Sequence, residues 1–153
     1  MKTARSLPHL PMRIVGDSGG PLWKVHLVKY LRVLSLWLFW PGVALIAWGE
    51  LTPSPPHLSG LLSWDKADHF IAYFGLAGMA TLILGLSPRL AWAILGVILL
   101  SGGLEILQAF TGRDAEILDF VANSLGALTG ALAGAAFLLL FRERALVARP
   151  AAD

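Results

Sequence analysis

Acidic, basic and amide side chains recur at helical spacing inside runs that are otherwise apolar. Asp65 and His69 are four positions apart, as are His69 and Tyr73, with Lys66 beside the first pair. Positions three or four apart share one face of an α-helix. Glu105 and Gln108 repeat the pattern, Asp119 and Asn123 repeat it again, and Arg113 falls between these two pairs. Glu105 carries the most chemical interest, because apolar residues precede it and Ile106, Leu107, Ala109 and Phe110 follow it. A carboxylate there needs a cation or donor to stay charged. Its candidate partners are His69 and Arg113. A Glu105–His69 pair could pass a proton as acid and base, which makes these two the candidate catalytic residues. The same pair could equally be a structural clasp.

The elements that position these groups follow from composition. Of 153 residues, 56% are hydrophobic and 14% charged, and the mean hydropathy is +0.68. That is too apolar for an ordinary soluble domain. A bilayer crossing takes about 20 apolar residues, and four stretches qualify: about 31–51, 70–86, 90–110 and 118–141. The second is the shortest and can borrow a turn from Ala67 to His69. The expected fold is all-α: one polytopic membrane domain of four transmembrane helices over 30–141. A flexible, basic segment (1–29) precedes it and a tail (142–153) follows. There is no cysteine, so neither a disulfide nor a thiolate metal site can form.

Basic residues orient the spans. Lys2, Arg5, Arg13, Lys24, Lys29 and Arg32 precede the first; Arg89 lies between the second and third; Arg142, Arg144 and Arg149 follow the fourth. Lys and Arg are enriched on the cytoplasmic side. All three basic segments share that side only with four spans and both termini cytoplasmic. The connections 52–69 and 111–117 are then external. The pI of about 9.3 reports these flanks, and no nucleic-acid partner is expected. The long region before the first apolar run, and Pro41 within that run, argue against a cleaved signal peptide.

Most of the helices have a plain task. The first span is almost featureless, with Leu34, Trp37, Phe39 and Trp40 suited to lipid and Pro41–Gly42 expected to kink it. Trp23 to Leu34 reads as an aromatic and basic flank, or as an interfacial segment. Gly126, Gly130 and Gly134 recur every fourth position on the last helix, a stripe that lets another helix approach closely. Its partner is another helix of the same chain or a second copy. The polar residues also have ordinary readings. Asp65 and Asp119 could be helix N-caps, Tyr73 an interface anchor, and Arg113 a partner of Asp114 or Glu116 in the turn.

Under this topology the start of the second helix, the end of the third and the start of the fourth share one membrane face. Their polar patches therefore fall at one depth, which predicts a single external cluster: Asp65, Lys66, His69, Tyr73, Glu105, Gln108, Arg113, Asp119 and Asn123.

These residues resemble a known pattern. Asp65-Lys66 followed by His69 and Tyr73 is similar to the DK-x-x-H-x-x-x-Y opening of the VanZ-like membrane protein family. Glu105 with Gln108, then Arg113, then Asp119, Asn123 and Gly126, is similar to its E-x-x-Q, R and D-x-x-x-N-x-x-G signature. The resemblance covers roughly 61–135 with order and spacing intact. It implies a small multi-pass protein of the bacterial inner membrane, in a family whose namesake is associated with resistance to the glycopeptide teicoplanin.

Three function classes follow. The first is a cell-envelope protein that binds an amphiphilic antibiotic or lipid-linked precursor at the external cluster. The second is an assembly subunit, with membrane lipids, a second copy or a membrane complex as partner, whose polar groups lock the bundle. The third is an enzyme using Glu105 and His69 on a lipid headgroup. No cofactor or metal is expected, since HExxH, a glycine-rich phosphate loop and GxSxG are all missing. A transmembrane proton path is disfavoured, because the cytoplasmic halves of the spans carry no ionisable relay.

Overall fold

The computed structural model describes residues 22–52, 65–111 and 116–141. These form four helices: α1 (Leu22–Leu51), α2 (Asp65–Leu84), α3 (Pro88–Gln108) and α4 (Ile117–Leu140). All four are long and apolar enough to cross a membrane. At 1.5 Å per residue, α2, α3 and α4 are about 30–36 Å long, close to a hydrocarbon core about 30 Å thick. α1 has 30 residues and exceeds it. Residues 22–29, expected in the flexible leader, are its first turns, and the helix continues through Pro41. α2 begins at Asp65, so the connection from α1 is shorter than the expected 52–69.

One turn is legible residue by residue. Gly85, with φ +63°, takes the left-handed conformation that ends α2, and its N–H bonds the Thr81 carbonyl. Glycine adopts that conformation without a Cβ penalty. Pro88 then opens α3, where its fixed φ suits a first helical position and its missing N–H costs nothing.

The most extensive helix contact joins α2 and α4, which are not consecutive in the chain. They run parallel. A Cβ built at Gly126 would collide with the Phe70 carbonyl, and one at Gly130 with the Phe74 carbonyl. At Gly134 it would meet the Thr81 side chain at 2.9 Å. Of the two partners open for the glycine stripe, the neighbour within the chain fills it. Close approach of this kind strengthens dispersion contact where lipid offers no hydrophobic drive between helices.

The buried apolar core is small: Tyr73, Leu76, Ala77, Ile94, Val97 and Ala127. Large apolar side chains instead cover the outside, among them Trp37, Trp92, Phe110 and Leu140. Apolar surface on that scale belongs against another apolar phase. The two Thr hydroxyls within α2 and α4 are satisfied locally: Thr81 donates to the Ala77 carbonyl and Thr129 to the Leu125 carbonyl.

The start of α1 and the end of α4 meet at one end of the bundle. There the Trp23 and Phe141 rings pack edge to face at 6.1 Å, with the Lys24 ammonium over both. The opposite end gathers the end of α1, the start of α2, the end of α3 and the start of α4.

Candidate functional site: a buried ionic cluster at one end of the bundle

Glu50, in the last turn of α1, is only 6% exposed. The Tyr73 hydroxyl donates to its carboxylate at 3.4 Å, and His69 Nδ1 faces its Oε1 at 3.6 Å. Gln108 donates from Nε2 to the Glu50 backbone carbonyl at 3.0 Å. That carbonyl belongs to the last turn of a helix, where no intrahelical N–H remains to satisfy it. The α3 side chain thus completes the end of α1. Tyr73 is fully buried and bonded to an acid, which replaces its reading as an interface anchor.

His69 bridges to a second acid. Its Nε2 lies 3.7 Å from Asp119 Oδ2, so each ring nitrogen faces a carboxylate from a different helix. A protonated imidazole presents two N–H donors, which suits that placement. Asp119 also pairs with the Lys66 ammonium, and Lys66 reaches Glu116 as well. A chain of facing acidic and basic groups therefore runs Glu50–His69–Asp119–Lys66–Glu116 across α1, α2 and the start of α4.

The expected N-cap role of Asp119 is corrected. Glu116 occupies the cap position, without a side-chain cap hydrogen bond, and Asp119 lies inside the first turn. One turn on, Asn123 is fully buried, and neither its amide nitrogen nor its oxygen has a hydrogen-bond partner among the described residues. Glu116 pairs with Lys66. Arg113 and Asp114 lie outside the described residues, as does the Asp65 side chain.

Glu105 is where expectation and structure differ most. It is 7% exposed and close enough to feel the charges of Asp119, His69 and Glu50, so it belongs to the cluster. Yet, among the described residues, neither carboxylate oxygen has a hydrogen-bond partner. The Glu116 backbone N–H lies near that carboxyl group. Of the two expected partners of Glu105, Arg113 lies outside the described residues and the bond to His69 is not formed; His69 faces Glu50 and Asp119 instead. The reason is helical phase. Glu105 and Gln108 share one side of α3, but Gln108 is the one that reaches α1, while Glu105 lines the α3–α4 side.

Sequence reasoning brought Lys66, His69, Tyr73, Glu105, Gln108, Asp119 and Asn123 to one end, and the structure places all seven there. It missed Glu50. The available signal was a lone acid closing an apolar run. Ser101, one turn before Glu105 and fully buried, was also passed over. Among the described residues no group of His, Cys, Asp and Glu is arranged to hold a metal ion.

Comparison with protein-family models, with curated proteins and with solved structures finds no match to this chain.

Proposed function

We propose that the chain is a VanZ-like, multi-pass protein of the bacterial cytoplasmic membrane, with both termini cytoplasmic, whose polar end binds an amphiphilic or lipid-linked envelope ligand at the outer face. One observation carries the reading. Polar groups from all four helices converge at one end of an apolar bundle, and buried members of that set, Glu105 and Asn123, have no hydrogen-bond partner among the described residues. Polar groups buried for structure alone are normally satisfied, and ionisable residues inside membrane spans mark functional sites by default. The resemblance of these residues to the VanZ-like signature supports the same assignment and carries the glycopeptide theme with it.

A specific observation favours a second role for part of the cluster. The Glu50–His69–Asp119–Lys66 chain is internally paired and ties three helices together, as a clasp would. The clasp and the ligand-facing groups are then different residues of one end. Acid–base chemistry on a headgroup is the less supported reading, since Glu105 and His69 are not bonded to each other.

The test is to extract the full chain with its native lipid and identify the amphiphiles that accompany it by mass spectrometry. The expected result is one amphiphile enriched over the bulk membrane and lost from Asn123→Leu protein of unchanged thermal stability. Lipid of bulk composition around both proteins overturns the reading. Growth at rising teicoplanin, with and without the protein, tests the resistance theme; equal growth overturns it.

A further inference from the structure

The two ends of the bundle differ in charge. Every acid among the described residues stands at the polar end: Glu50, Asp65, Asp68, Glu105, Glu116 and Asp119. Of the described lysines and arginines only Lys66 joins them. Lys24, Lys29 and Arg32, in the first three turns of α1, and Arg89, at the start of α3, stand at the opposite end. That end holds no described acid, so its cations have no carboxylate to pair with among the described residues. The segments joined to it in sequence, 1–21 and 142–153, also hold more basic than acidic residues.

Length sets the depth of these groups. α1 has 30 residues, about 45 Å, against a hydrocarbon core about 30 Å thick. About 30 Å back along α1 from Glu50 falls near Tyr30, so the turns around Lys29 and Arg32 lie at the level of the lipid headgroups. Trp23 and Tyr30, 57% and 66% exposed, suit that level, where amphipathic rings collect. Lys24 is engaged over the Trp23 and Phe141 rings. Lys29 and Arg32 are exposed and three positions apart, which puts them on one face of the helix.

An anion is the partner that this face fits, and each phospholipid headgroup at that level presents a phosphate. A zwitterionic head carries its own ammonium, which repels the two side chains and offsets its phosphate. A head of net negative charge leaves the attraction whole. A guanidinium takes two phosphate oxygens at once, and an ammonium adds a point charge. We propose that Lys29 and Arg32 bind the phosphate of an anionic phospholipid beside the basic end of the bundle. The site lies at the other end from the buried ionic cluster and does not depend on what binds there.

Native mass spectrometry of the full chain in detergent tests the site. Phosphatidylglycerol and phosphatidylcholine with identical acyl chains are added in turn, and the retained lipid is counted. Phosphatidylglycerol is expected to be retained about five-fold above phosphatidylcholine, the order of effect of one Lys or Arg near an anionic headgroup. Lys29→Gln/Arg32→Gln is expected to bring it down to the phosphatidylcholine level. Both side chains are exposed, so the melting temperature of that variant is expected to stay level. Lys29→Arg/Arg32→Lys, which keeps both charges, is expected to keep the preference. Equal retention of the two lipids by the unaltered protein overturns the proposal. A preference that survives Lys29→Gln/Arg32→Gln, or that Arg89→Gln alone abolishes, overturns the α1 site.

Discussion

The Lys66 ammonium at the start of α2 closes on the Asp119 carboxylate at the start of α4, and both side chains are largely buried. Two helices that are not neighbours in the chain are thereby locked in register at the end where the glycine stripe begins. Removing one partner of a buried ion pair leaves the other uncompensated and costs roughly 3–5 kcal/mol, whereas removing both can cost less. Lys66→Met and Asp119→Leu are each expected to lower stability by about that amount. The double variant is expected to fall well short of the sum. Denaturation of the four proteins in one detergent measures the coupling, and strict additivity would show that the pair contributes nothing.

Glu50 and Glu105 are both buried acids of this end, and their substitution is expected to differ in sign or size. Glu50→Gln weakens the charged acceptor that Tyr73 and His69 face, and a hydrogen bond to a charged group contributes about 1.5–3 kcal/mol. Glu105→Gln alters a carboxyl group with no hydrogen-bond partner among the described residues, so stability is expected to stay level or rise. A thermal melt of the two variants in the same detergent decides it. A Glu105→Gln melting temperature as low as that of Glu50→Gln would mean that Glu105 is part of the clasp.

The glycine stripe gives a second paired comparison. Gly130→Leu forces a side chain against the Phe74 backbone carbonyl, whereas a Cβ at Gly96 meets nothing within 4 Å. Overpacking costs about 1–3 kcal/mol or more, and backbone cannot yield as a flexible side-chain tip does. Gly130→Leu is expected to unfold at clearly lower temperature than Gly96→Leu. Equal melting of the two would remove the α2–α4 approach as a source of stability.

Orientation is testable because the chain has no cysteine. Leu86, half-exposed in the turn between α2 and α3, lies on the same side as Arg89. Ser59 lies in the connection after α1. With Lys and Arg on the cytoplasmic side, Ser59→Cys is expected to react with an impermeant maleimide on intact spheroplasts and Leu86→Cys only after lysis. The reverse pattern would invert the topology.

Much of this arrangement is legible in the sequence. Apolar run length reveals four helices, because a chain in hydrocarbon must satisfy its backbone within each span. Asp65, His69 and Tyr73, or Asp119 and Asn123, announce a shared face through spacing alone, because helical periodicity is local. With an even number of antiparallel crossings, the ends of odd helices must meet the starts of even ones, so a common depth for the polar residues follows from counting. The glycines announce a close contact but not its partner. Pairing is another matter, because it depends on the rotation and parallel approach of α2 against α4, and no local pattern encodes these. Only the tertiary structure turns His69 toward Glu50 and Asp119 rather than Glu105, and sends Gln108 to the end of α1. Glu50 was invisible as a site residue for the same reason: a lone acid closing an apolar run acquires its meaning from the three helices that surround it.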